Sequence, residues 1–224
     1  CRIFWIDMSR EYRRGGWPVT RDSRIQQNRT FDEMLKPALK RLEGKALEKI
    51  AENTGISYCK EQGIFSLRSL GQEIQIHVPD WKITPELNEW HHLLLLHYMD
   101  LADGAPLTGQ LMAFGDLEGG MVRGGGFDRQ SENQLSRQLG AGTCDSVRKA
   151  CESIGGEIVS SNADLCAEFY LFPRYPLTLK LWFADEEIPG SGRILLDRSA
   201  GHYLAVEDAV TAGSLLLEKL IGKM

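Results

Sequence analysis

Near its C-terminal end the chain alternates apolar and polar positions over two long runs. Leu165, Ala167, Phe169 and Leu171 alternate with Cys166, Glu168, Tyr170 and Phe172. After Pro173-Arg-Tyr-Pro176, Leu177, Leu179, Leu181 and Phe183 alternate with Thr178, Lys180 and Trp182. A period of two predicts strands, and two such runs across a proline-bounded turn at 173–176 predict an antiparallel pair with one core face. Ile194-Leu-Leu196 predicts a third strand, and Gly109–Phe114 a short one. Upstream, Ile64–Arg68 and Glu73–Val78 predict a hairpin across Ser69–Gln72. Its core face holds Phe65, Leu67, Ile74, Ile76 and Val78.

Other segments carry helical spacing. Thr30-Phe-Asp-Glu33 fits a capping box, followed by apolar residues at Leu35, Leu39, Leu42, Ala46 and Ile50. Pro37 and Gly44 are expected to kink or split this helix, and Asn53-Thr-Gly55 to end it. A second helix is predicted from an N-cap at Thr84 with Pro85 at its first position, running to about Asp103. Leu93–Leu96 are apolar all round, which places that helix centrally. Ser131-Glu-Asn-Gln134 predicts a helix start with a break near Gly140-Ala-Gly142. Another helix is predicted from Thr143 to Gly155, with Val147, Ala150, Cys151 and Ile154 on one stripe. The last helix carries Glu207 and Asp208 in its first turn, where negative charge suits the dipole. These elements predict an α+β fold, an antiparallel sheet with helices packed against one face.

Residues 1–29 carry seven arginines against three acids and no sustained periodicity. They read as an extended basic arm, ahead of one α+β domain over residues 30–224. With 224 residues and 42% hydrophobic content the chain can bury a sizeable core. A net charge of −5 argues against a nucleic-acid partner, which needs a basic surface. No apolar run approaches the ~18 residues of a membrane span, and no charged-then-apolar leader pattern is evident. The expectation is a cytoplasmic protein without membrane attachment.

The five cysteines, Cys1, Cys59, Cys144, Cys151 and Cys166, form neither a disulfide framework nor a C-x-x-C pair. They read as free thiols, and an iron–sulfur cluster is not expected. His91, His92 and His97 do not have metal-ligand spacing, since adjacent helical residues diverge by ~100°. They read as structural or surface side chains. The glycines framing Met121-Val-Arg123, at 119–120 and 124–126, match neither phosphate-binding fingerprint and read as a flexible loop.

The candidate chemistry is acidic. Asp185-Glu-Glu187 follows the Trp182 strand, and Asp197, His202, Glu207 and Asp208 come soon after. If the strand ends and the helix start converge, Asp185, Glu186, His202 and Glu207 offer ligands for a hard cation or paired carboxylates for proton transfer. The alternative is that Asp185–Glu187 cap an exposed turn and Glu207-Asp208 start a helix. No G-x-S-x-G, H-E-x-x-H or calcium-loop spacing is present.

The order Trp90…Leu94-Leu-Leu-His97-Tyr98, Pro106-Leu-Thr-Gly109, Phe169…Phe172-Pro173, Trp182-Phe-Ala-Asp-Glu-Glu-Ile-Pro189, Leu196-Asp197 and Tyr203-Leu…Glu207-Asp208 resembles a prokaryotic family catalogued as domain of unknown function 3786. The resemblance covers roughly Phe31–Ile221. It implies a setting in anaerobes, near corrinoid and one-carbon metabolism, where some relatives carry an iron–sulfur domain. It also implies Trp182, Asp185, Glu186, Glu187, Asp197, Tyr203, Glu207 and Asp208 as ligand-binding candidates or as the family's structural signature. Three functional readings follow. One is a non-catalytic accessory module that binds a cofactor such as a corrinoid, or a corrinoid or iron–sulfur protein partner. The second is a metal- or carboxylate-dependent enzyme, and the third a structural or assembly protein that forms a homo-oligomer through its arm.

Overall fold

The computed structural model describes residues 21–139 and 142–224, with side chains from Phe31 onward except that of Asp32. Helix α1 (Arg21–Leu42) and α2 (Leu47–Thr54) precede a four-stranded antiparallel meander, β1 (Ser57–Cys59), β2 (Ile64–Ser69), β3 (Gln72–His77) and β4 (Lys82–Thr84). Helix α3 (Glu89–Leu101) follows, then β5 (Leu111–Met112), α4 (Arg123–Gln138), α5 (Cys144–Ser153), β6 (Glu157–Ile158), β7 (Leu165–Phe172), β8 (Tyr175–Trp182), β9 (Ser191–Asp197) and α6 (Val206–Ile221). The second sheet is antiparallel in the order β5-β9-β8-β7-β6. The α+β class is as the alternation of patterns predicts, with two sheets.

The helical N-terminal segment differs from expectation. Residues 21–29, read as part of an extended arm, are the first turns of α1, and the Thr30–Glu33 box lies inside that helix. Residues 1–20 of the arm lie outside the described residues. Helix α1 runs through Pro37 and stops before Gly44, whose φ of 83° does split it from α2. Gly55 closes α2 in the left-handed region, its N–H donating to Ala51 O.

In the first sheet Phe65, Leu67, Ile74 and Ile76 are buried as the alternation requires. The turn residues Leu70 and Gly71 both have positive φ, the two-residue geometry that matches strand twist. This hairpin tip joins the two sheets: Leu70 N–H donates to Tyr170 O at 2.9 Å. Gly71 packs backbone to backbone on Gly155, where an added Cβ would meet Gly71 Cα at 2.5 Å.

Thr84 does not cap α3. It pairs with Gln75 as the last residue of β4, and Asn88 is the N-cap, its side chain accepting from His91 N–H at 2.8 Å. Leu93–Leu96 are fully buried, so the central placement of α3 holds.

In the second sheet the face with Leu165, Ala167, Phe169, Leu177, Leu179, Leu181, Ile194 and Leu196 is buried, while Tyr170 and Arg193 on the other face are exposed. The connection between β7 and β8 is only Pro173-Arg174, since Tyr175 and Pro176 already belong to β8. A pairing shift between Tyr170 and Phe172 sets Phe172 opposite Tyr175, so Phe172 leaves the exposed face of Tyr170 for the core. There it stacks on Tyr98 of α3 at 4.6 Å.

The glycine-rich stretch is not a loop throughout, because Gly124–Gly126 form the first turn of α4. A Cβ on Gly124 would stand 2.0 Å from Phe114 O, so only glycine lets the helix approach this closely. Asp128 secures the contact by accepting from Phe114 N–H at 3.1 Å and Gly115 N–H at 2.8 Å. Ser131, expected at a helix start, is therefore mid-helix and bonds Asp128 O. Thr143 does cap α5, accepting from Ser146 N–H.

Candidate functional site

The candidate acids fall at opposite ends of the second sheet. Trp182 ends β8 opposite Ser191, and Asp185–Glu187 form the exposed turn beyond it. Asp185 accepts from Glu187 N–H at 2.9 Å and Ile188 N–H at 2.7 Å, and these bonds hold its carboxyl below the ordinary carboxylate range. Asp197 lies at the other end of β9, six residues from Ser191. That is ~20 Å at ~3.3 Å per residue. Asp185 and Glu186 therefore do not meet His202 and Glu207, and the proposed four-residue metal set is not assembled. Among the described residues no group of three or more His, Cys, Asp or Glu is placed to hold a metal ion.

Asp197, Tyr203 and His202 do come together, around the loop of residues 103–110. Asp197 is buried, and its Oδ1 accepts from Thr108 N–H (3.0 Å), Thr108 Oγ1 (3.0 Å), Ser199 N–H (2.9 Å) and Ser199 Oγ (2.7 Å). Its Oδ2 accepts from Gly109 N–H at 2.7 Å. Burial works to raise the pKa of this carboxyl, but the donors of Ser199 and Thr108 outweigh it and hold it low. Tyr203 donates to Ala105 O, and His202 Nδ1 lies 2.7 Å from Asp103 Oδ2, which that contact holds below its usual range. Arg174 Nη1 donates to Gly104 O at 2.9 Å. These residues clamp a loop; Asp197 and Tyr203 do so from buried positions, and the His202–Asp103 pair does so at the exposed surface. At the start of α6, Glu207 is exposed and Asp208 turns to His97 Nδ1 at 2.9 Å.

The three histidines of α3 diverge accordingly: His97 to Asp208, His92 edge-on to Phe31 at 5.7 Å, and His91 inward to Ser69. His91 has a setting that its sequence position does not announce. Its Nε2 is 2.7 Å from Ser69 Oγ, and both residues are buried. Among the described residues Ser69 Oγ has no other partner, so its O–H donates to Nε2 and the neutral ring carries its proton on Nδ1. Burial, with smaller contributions from Lys219 and His92, depresses the imidazole pKa to about 4.

Nδ1 has no partner among the described residues. Tyr175 Oη is the one described side-chain N or O atom both fully buried and unpartnered, so His91 Nδ1 retains access to solvent. His91 lines a cleft of about 350 Å³, together with the Gln72 turn, Glu86–Asn88 ahead of α3, and Leu215, Glu218 and Lys219 of α6. A second cleft of about 410 Å³ lies on the first sheet between Ser66, Glu73, Gln75 and Pro85. Neither is large enough to enclose a corrin ring. In the first, the buried histidine lies among polar and charged side chains. Ser69 is the residue that the sequence reading missed: it shares the strand parity of Phe65 and Leu67, and a hydroxyl at a core position requires a partner.

No described helix is long and apolar enough to cross a membrane. No curated protein and no solved structure matches the chain. The family model described as Domain of unknown function (DUF3786) matches residues 46–219, a span that includes β1–β9, the 103–110 clamp and the His91 cleft, and the chain belongs to that family.

Proposed function

We propose that the protein is a non-catalytic binding module that holds a small molecule in the His91 cleft. The observation that supports this reading is the buried His91, oriented from behind by Ser69 and unpartnered at Nδ1 among the described residues, lining a polar cleft of about 350 Å³. That volume is at the lower end of ordinary small-molecule sites. Binding is favoured over catalysis because the Ser69 hydroxyl is behind the ring and buried, so the Ser–His pair has no nucleophile facing the cleft. The family resemblance supports an accessory role beside corrinoid or iron–sulfur proteins of anaerobic metabolism. Given the sizes of the two clefts, a corrin would be carried by such a partner rather than enclosed here.

The test is native mass spectrometry of anaerobically purified protein, with absorbance and metal analysis on the same sample, followed by thermal shift against small-metabolite panels. A co-purifying small molecule, or a shift that is lost in His91→Phe, supports the module. Turnover of any panel compound would overturn the non-catalytic reading.

A further inference from the structure

The charges around the cleft are not uniform. Glu86 and Glu218 bring carboxylates to its rim, Lys219 brings an ammonium group, and none of the three has an ion-pair partner among the described residues. The backbone adds the same asymmetry. Helix α3 begins at the cleft, and α6, held to α3 by Asp208–His97 at its start and approaching His91 through Leu215 and Lys219 near its end, finishes there. The two helices thus run in opposite directions and present a positive N-terminus beside a negative C-terminus. His91 Nδ1–H and Lys219 form a donor and cation pair suited to a carboxylate. Glu218, Glu86 and the end of α6 suit an ammonium group. A simple anion would meet two unneutralised carboxylates, and a simple cation would meet Lys219 and the α3 terminus.

We infer that this cleft receives a small zwitterion, an amino-acid-sized molecule with one carboxylate and one ammonium group. The carboxylate sits on His91 Nδ1–H and Lys219, and the ammonium sits toward Glu218 and Glu86. The inference rests on the small-molecule reading above. Because the ring stays neutral down to about pH 4, the histidine contributes a hydrogen bond and not a charge. Lys219 is then the residue that distinguishes a carboxylate from a neutral amide.

The test is isothermal titration and saturation-transfer NMR on the whole chain, with three probe sets. The first is the protein amino acids, the second the matching amines without the carboxylate, and the third the matching acids without the amino group. The expected result is binding within the first set, weakened at least tenfold in either analogue. Lys219→Gln, a substitution at a half-exposed position of α6, should reduce that binding about tenfold while the fold is retained. Acids that bind as well as their parent amino acids, or an affinity unchanged in Lys219→Gln, would overturn the zwitterion and leave the small-molecule reading standing. Failure of every probe to perturb the His91 ring resonances would likewise overturn the zwitterion, while the small-molecule reading falls only if the native mass and the metabolite panels are also blank.

Discussion

Asp197 tests the conclusion that its part of the acidic signature is a loop clamp. Its carboxylate accepts five hydrogen bonds, four on Oδ1 and one on Oδ2. Asp197→Ala leaves them all without an acceptor, but the consequences differ. Thr108 and Gly109 are exposed and can turn to water, whereas Ser199 is buried and cannot. Two stranded donors at ~1–2 kcal/mol each give an expected loss of ~2–4 kcal/mol. Asp197→Asn can keep its oxygen in the Oδ1 position, but its amide then faces Gly109 N–H as donor against donor. The expected loss is smaller, ~1–2 kcal/mol. At ~2–4 °C per kcal/mol for a chain of this size, the asparagine variant melts a few degrees below the parent and the alanine variant about twice as far. Hydrogen exchange locates the effect: Asn deprotects the Gly109 amide and spares Ser199, while Ala deprotects both. The low pKa of Asp197 adds a pH signature. A carboxyl whose folded pKa is depressed stabilises the protein above its unfolded pKa of ~3.9, and that contribution disappears as pH falls through the folded value. The stability gap between parent and Asp197→Asn should therefore narrow below about pH 4. Equal losses in the two variants, or unchanged exchange at Gly109, would refute the clamp.

Three further outcomes are expected. Gly155→Ala combines a left-handed φ of 77° with a Cβ placed 2.5 Å from Gly71 Cα, so urea denaturation should register a loss well above the ~1 kcal/mol of an ordinary Gly→Ala strain. His91, neutral in the folded protein to about pH 4 and near ~6.5 when unfolded, stabilises the fold above the unfolded value. That stability is lost at up to ~1.4 kcal/mol per pH unit as pH falls between those values, and the slope should flatten in His91→Phe. Among the described cysteines, alkylation of native protein followed by mass spectrometry should label exposed Cys59 first and leave Cys151 and Cys166 unmodified until denaturant is added. Burial raises the Cys151 thiol to about 12, so it carries little thiolate at neutral pH.

Local patterns in the chain were reliable where one face met one core. The β2–β3 hairpin, β7–β9, the α5 cap at Thr143 and the buried run of α3 all follow from period and capping, since those signals lie within a few residues of each other. The misreadings arose where a distant residue decides the local outcome. Gly124–Gly126 read as a loop because glycine is a poor helix former. They form the first turn of α4, and Gly124 is required there because Phe114 O lies so close that no Cβ fits, a constraint set ten positions away in the chain. Thr84-Pro85 read as a helix start because the pair has the right composition, but Thr84 is already committed to Gln75 in the β-ladder. The short strands β1, β4 and β6 carry too few residues to show a period at all.

The candidate site shows the same limit more sharply. Acids close in sequence suggest a shared centre, but a strand carries its two ends apart, so Asp185 and Asp197 are separated by the length of β9. The groups that do meet come from separate parts of the chain: Ser69 from β2, His91 from α3 and Lys219 from α6. Only the packing of α3 between the hairpin and α6 brings His91 and Lys219 to one cleft with Ser69 behind the ring. Each has an ordinary role when read alone, as a strand serine, a helix histidine and a surface lysine. Together they leave one ring nitrogen that the protein holds in place and does not satisfy. A solvent-reachable polar atom on so buried a side chain is met by water or by a guest. For that reason the setting of His91, more than the abundance of carboxylates, is the feature of this fold on which the proposed ligand site rests.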